Sequence, residues 1–277
     1  MEHKIIVDSC CDMTPQLAEK LGITIVPLTM RLGEKEFTDD DSLDLPGFMA
    51  EMEAGTDRIS TAAPSPVSFK EAIESAKNSF IITISKHLSA TFENATLGKA
   101  LAEESGDVDT HVFDSKTASA GEVLLAIKLR EMLNLGKSKE QIIKSFGELI
   151  DTMKTFFVLE RYDNLIKNGR LNKVAGKIVG VLNIKLIMGA DGNGQIALFA
   201  KPRGTKRMIA KILDLIGEKW NSAAGETMVI SHCNNPDLVK QITDAVKSKF
   251  NFKDIVVVPT SGTISVYSDN KGIIMAF

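Results

Sequence analysis

Three cysteines in 277 residues, two of them adjacent at Cys10 and Cys11, cannot build a disulfide framework, so a reducing cytoplasm is the expected setting. Neither charge sign is in excess, because 33 Lys and Arg minus 36 Asp and Glu leave −3. A dedicated nucleic-acid binder would have a domain pI above about 9, whereas the pI here is 5.9. Small molecules and proteins are left as expected partners. No apolar run approaches the roughly 18 residues of a membrane helix. The best candidate, Ile178 to Met188, is broken by Asn183 and Lys185. Met1-Glu2-His3-Lys4 enters a short apolar run without a signal-peptide layout. The phosphate-loop, nucleophile-elbow and H-E-x-x-H motifs are absent. The four histidines, His3, His87, His111 and His232, are scattered, which excludes the spaced pairs of a structural metal site.

What is present is an alternation of short β-rich runs with amphipathic helical stretches, the pattern of a parallel sheet covered by helices. Strands are expected over Lys4 to Val7, Ile23 to Thr29, Phe80 to Ile84 and Thr110 to Phe113. Thr14-Pro15 and Ser65-Pro66 each place a capping hydroxyl before a proline at the first helical position. Ser138-Lys139-Glu140-Gln141 is a capping box. Helices are also expected over Ala90 to Glu104 and Ser119 to Leu135. Past residue 155 a β-hairpin is expected from Lys185 to Met188 and Gln195 to Ala200. Two helices follow, Gly204 to Trp220 and Asp237 to Phe250, with strands over Thr227 to Ser231, Ile255 to Val258 and Gly272 to Ala276. The expected fold is α/β: a Rossmann-like N-terminal domain with a parallel sheet over 1–155, and a C-terminal α/β domain with a mixed or antiparallel sheet over 156–277.

Gly192-Asn193-Gly194-Gln195-Ile196-Ala197 has the letters of a dinucleotide fingerprint, but a strand follows where a helix is needed, so it reads as a hairpin turn. Asp8-Ser9-Cys10-Cys11-Asp12 lies at the carboxyl end of the first strand, where ligands of open α/β sheets collect. Its acids either cap backbone amides or help form a site. Three loops are rich in small hydroxyls: Ser60 to Pro66, Ser85 to Thr91, and Asp114 to Glu122. Each precedes a helix whose free amides and dipole favour an anionic oxygen. A single such loop is an ordinary cap, whereas three at strand ends point to a cleft that can hold a carboxylate without a cation. Charge is segregated: Glu34 to Asp57 holds nine acids against Lys35, and Lys167 to Lys211 holds ten basic residues against Asp191. These are either solvated faces or a docking surface for a partner that handles phosphate.

In order along the chain come Val7-Asp8-Ser9 with Asp12, Thr61-Ala62-Ala63-Pro64-Ser65-Pro66, Ser85 with Leu88-Ser89-Ala90-Thr91, Asp114-Ser115-Lys116 with Ser119-Ala120-Gly121, Asn164 to Arg170, and Asn183-Ile184-Lys185. The set resembles the DegV family over nearly the whole chain. That resemblance implies one long-chain fatty acid (C14–C18) between the two domains, no cofactor, and a carrier that presents the acid to a fatty acid kinase subunit. It also implies that Thr61 and Ser89 bind the carboxylate, with Ala62, Ala90, Thr91 and Thr263 beside them. Arg170, Lys201 and Arg203 would contact phosphate or the partner. Ala62 replaces a usual serine, Asn168-Gly169 a usual Gly-Gly, and Ile264 stands where the family often has histidine.

Burying about sixteen carbons at roughly 0.8 kcal/mol per CH₂ gives on the order of 12 kcal/mol gross, so neutral donors suffice to orient the head group. An enzymatic alternative is an acyl-ester hydrolase or phosphotransferase using Ser89 or Asp8, with His87 as the base.

Overall fold

A computed structural model describes residues 3–55, 58–171, 184–218 and 226–277. β1 (Lys4–Asp8), β2 (Ile23–Val26), β6 (Asn78–Thr83) and β7 (Asp109–Asp114) form a parallel sheet in the order β2-β1-β6-β7. The two central strands, β1 and β6, are buried on both faces because both faces are covered. Ile6 and Ile81 face α3 (Pro66–Glu74) and α4 (Thr91–Ser105), which contribute Phe69, Ile73, Ala95 and Ala102. Ile5, Val7, Phe80 and Ile82 face α1 (Pro15–Leu21), α5 (Ala120–Asn134) and α6 (Lys139–Thr152). Thr14 and Ser65 cap α1 and α3 ahead of their prolines, and Ser138 and Gln141 form the capping box of α6.

The second sheet is mixed, with six strands in the order β10-β9-β8-β13-β11-β12. Its members are β8 (Thr155–Val158), β9 (Ile187–Ala190), β10 (Ile196–Ala200), β11 (Thr227–His232), β12 (Asp254–Pro259) and β13 (Ile273–Ala276). Only β11 and β12 run parallel within it. One face packs on α8 (Gly204–Gly217) and α9 (Pro236–Lys249). The other shares a core with the first sheet through α5, whose residues 120–126 are all buried. The two sheets are thus layered around one helix that belongs to both cores.

Two expectations are corrected. The second strand ends at Val26, because Pro27 cannot donate to the ladder, and the chain resumes as β3 (Thr29–Leu32). With β4 (Lys35–Thr38) and β5 (Ile59–Ala62), β3 makes a separate antiparallel sheet, β4-β3-β5, carrying α2 (Leu45–Ala54). The stretch from Ser60 to Ala62, read as loop, is therefore strand, and it pairs Thr61 with Met30. Two short helices complete the described elements, α7 (Asp163–Lys167) and α10 (Gly262–Ser268). The ends of the expected helix at Lys219 and Trp220, and Asn183, lie outside the described residues.

Candidate functional site

The carboxyl ends of β1, β6 and β7 face the second sheet across an apolar cavity of about 110 Å³. One buried water needs only about 10–15 Å³ of such space, so the cavity has room for more than a single trapped water. Cys10, Ile84, Leu88 and the Lys116 to Ser119 loop line it from the first sheet. Thr155, Phe157, Gly189, Ala190 and Ile274 line it from the second. α10 closes it with Thr263, Ile264, Tyr267 and Ser268, and Thr61, Ser89 and Arg170 complete the wall.

The half-buried polar side chains of the wall are connected. Thr61 Oγ1 lies 2.7 Å from Tyr267 Oη. The Arg170 guanidinium sits over the Tyr267 ring, 5.5 Å from its centroid, and donates from Nε to the Leu88 carbonyl (3.2 Å) and from a terminal nitrogen to that of Asn168 (2.7 Å). Leu88 is followed by Ser89, whose hydroxyl pairs with Thr91 Oγ1 at 2.8 Å. Burial pushes the Tyr267 phenol above its ordinary value, against the opposing pull of its bond to Thr61 and of the Arg170 charge. It therefore remains a proton donor.

Of the helices that start at the cavity, α10 is capped by the Ser261 hydroxyl, whereas α4 and α5 lack a side-chain cap. α4 has Ala90 at its N-cap, and the Ser119 hydroxyl at the N-cap of α5 turns instead to Asp12. First-turn amides favour an anion, although in α5 the Gly121 amide already donates to the Ala118 carbonyl at 3.1 Å. Lys116 (φ 54°) and Ser119 (φ 59°) hold left-handed backbone in the same loop, a conformation that non-glycine residues adopt at a cost. Buried Ser268 Oγ has no partner, and buried Thr263 Oγ1 has none of hydrogen-bond geometry.

Behind this wall lie four buried carboxylates, three of which tie the parts together. Asp8 accepts from the amides of Cys10 (2.9 Å) and Ile84 (2.7 Å). Asp12 accepts from Ser119 Oγ and, at 2.7 Å, from the Ser261 amide. Asp39 accepts from the amides of Gly262 (2.7 Å) and Thr263 (2.9 Å), which fixes the start of α10. Burial outweighs these bonds and pushes Asp8 and Asp12 up to about 6, and Asp39 also upward. Glu122 is raised further by burial and by the nearby charges of Asp8 and Asp12. Neither of its oxygens has a partner of hydrogen-bond geometry, although the Ser119 amide lies close enough to favour the charged form weakly. The acids expected either to cap amides or to form a site thus cap amides. Cys10, Cys11 and Cys233 are free and buried.

Of the residues singled out in the sequence, Thr61, Ser89, Thr263 and Arg170 line the cavity. Ala62 and Ala90 are exposed and Thr91 is buried beside Ser89. Lys201 and Arg203 are exposed beyond the end of β10 and are not part of the wall. His87 is exposed and bonds Ser85 Oγ through its backbone amide. Tyr267 was missed, and its only signal was rarity, since the chain has two tyrosines. The turn at Gly194 was placed correctly but not its contact, in which Ser85 Oγ donates to the Gly194 carbonyl at 2.8 Å and joins the hairpin to the first sheet. No group of three or more His, Cys, Asp or Glu that could hold a metal occurs among the described residues. No helix among them is long and apolar enough to cross a membrane.

A family model for DegV, described as an uncharacterised protein of the DegV family, matches residues 2–276. The chain belongs to the DegV family. A DegV domain-containing protein of Streptococcus pyogenes serotype M3 is 34% identical over 280 residues, covering 100% of this chain and 99% of its relative. A DegV family structure from Ruminococcus gnavus, described with vaccenic acid, superposes with a TM-score of 0.94 at 35% identity over 99% of both chains. The Streptococcus pneumoniae fatty acid kinase (Fak) B3 protein, loaded with linoleic acid, gives 0.90 at 35% identity over 100% of this chain and 99% of that one. The layered sheets and the cavity between them are thus set in a DegV framework.

Proposed function

We propose that this chain binds one long-chain fatty acid, C14 to C18, in the cavity between units 1–155 and 156–277, and carries it to a fatty acid kinase subunit in the cytoplasm. The observation that carries this reading is the meeting of Thr61, Ser89, Arg170 and Tyr267 at the half-buried end of an apolar cavity. A carboxylate accepts bonds only, and Thr61, Ser89 and the uncapped start of α4 supply neutral donors. About 0.8 kcal/mol per buried CH₂ makes the tail the main source of retention, with part of that offset by the cost of association. Arg170 has the planar fork suited to a phosphate or partner carboxylate, and Lys201 and Arg203 extend the basic region a kinase would meet. The bound acids named for the pneumococcal and Ruminococcus neighbours support the ligand class. The Ser89 hydroxyl is bonded to Thr91 and not to a base, which favours holding over acyl-ester turnover.

The test is denaturing extraction of the purified protein followed by mass spectrometry, with titration of C14 to C18 acids into the delipidated protein. Thr61→Ala and Ser89→Ala each lose a bond to a charged group and are expected to weaken retention by about 1.5–3 kcal/mol. An empty cavity that also takes up none of these acids refutes the reading. Unchanged affinity in both variants refutes the site.

A further inference from the structure

The Thr61 hydroxyl has one proton, and its neighbour is the Tyr267 hydroxyl at 2.7 Å. In such a pair either oxygen can donate. A carboxylate at the Thr61 side removes that freedom: it has no proton to give, so Thr61 must donate to it, and the Thr61 oxygen must then accept from Tyr267. We propose that Tyr267 is a positioning residue that sets the direction of the Thr61 hydroxyl and so makes the cavity select carboxylates over alcohols of the same length. The proposal rests on the fatty-acid reading above.

The surroundings suit a fixed donor. Tyr267 stands on α10, whose first turn is held by Asp39 through the amides of Gly262 and Thr263 and by Asp12 through that of Ser261. Its other end is held by Asn164, which donates to the Val266 carbonyl at 2.8 Å. The Arg170 plane covers the ring and so limits its rotation. Aligned hydroxyls polarise one another, so the Tyr267 to Thr61 bond strengthens the one Thr61 gives to a carboxylate. A phenol also keeps its proton through neutral pH, so the chain of donors does not switch off there. Residue 264, next to Thr263 on the same helix, is isoleucine and offers no donor.

Hexadecanoic acid and hexadecan-1-ol separate positioning from mere support. The alcohol can donate as well as accept, so it does not force the Thr61 hydroxyl into one direction. Tyr267→Phe is expected to weaken the acid about three- to tenfold, to leave alcohol affinity unchanged, and to have no further effect in a Thr61→Ala background, because Tyr267 acts through Thr61. A thermal melt checks that the variant is folded. Acid affinity unchanged in Tyr267→Phe overturns the proposal. So does equal loss for acid and alcohol, or a penalty that adds fully to that of Thr61→Ala. Wild-type protein that binds no long-chain acid overturns the fatty-acid reading itself, and this inference with it; wild-type binding with an indifferent Tyr267→Phe overturns only this inference.

Discussion

Asp12→Asn tests whether the buried acids behind the cavity cost stability at neutral pH. In the folded chain burial lifts the Asp12 carboxyl from 3.8 to about 6. One pKa unit is about 1.4 kcal/mol, so a rise of about two units amounts to about 3 kcal/mol. The folded state holds this proton more tightly than the unfolded state, so stability falls as pH rises between the two values. Below 3.8 both states are protonated and the penalty vanishes; above about 6 it is complete, with about half already present at pH 5. Asparagine fits the site without titrating: its oxygen can accept from the Ser261 amide, and its amide can donate to Ser119 Oγ once that hydroxyl turns around. Urea unfolding of both proteins from pH 5 to 7.5 should show the variant gaining on wild type by about 1.5 kcal/mol across that window. The slope is decisive, because any constant offset from altered packing cancels. A difference that stays flat, or shrinks as pH rises, refutes the assignment of a raised carboxyl to Asp12.

Glu122→Gln follows the same logic with a cleaner isostere, since neither carboxyl oxygen has a well-formed partner to lose. Burial and the Asp8 and Asp12 charges raise this group well above its ordinary value. The variant should therefore melt higher than wild type at pH 8, with the gain disappearing near pH 4; a lower melting temperature at pH 8 counts against it. Gly194→Ala addresses the latch between hairpin and first sheet. The residue has φ +89°, and an added Cβ would lie 2.4 Å from Ser85 Oγ and 2.9 Å from the Lys116 backbone. A loss of about 1–3 kcal/mol in urea unfolding and faster release of bound acid are expected, and wild-type values for both would show that the latch is not needed.

The alternation of strands and helices could be read because its causes are local. Thr14, Ser65 and Ser138 cap the helices that follow them, and Ile5, Ile6 and Val7 are apolar without a break because both faces of β1 are covered. The small sheet escaped because its cause is not local. Lys35 to Thr38 is mostly exposed and half charged, so it has no periodicity to read, and it is a strand only because β3 offers an edge. Asp44-Leu45-Pro46 did carry a cap and an early proline, and α2 starts there with Asp44 accepting from Gly47, so that helix was legible and was passed over. Thr61 was recognisable as a hydroxyl in the right company, but its partner Tyr267 lies 206 residues away. No spacing rule connects them.

Local rules are relaxed at the cavity: two non-glycine residues, Lys116 and Ser119, keep left-handed backbone, and α4 and α5 begin without a side-chain cap, as α9 also does after the left-handed Asn234. Each departure costs the free protein something, whereas elsewhere in the same sheet Thr14 and Ser65 show caps present where they are wanted. Ser119 makes the point most directly. It occupies the capping position of α5, yet its hydroxyl bonds Asp12, which in turn holds the Ser261 amide at the start of α10. The residue that would have satisfied α5 instead anchors the helix carrying Tyr267.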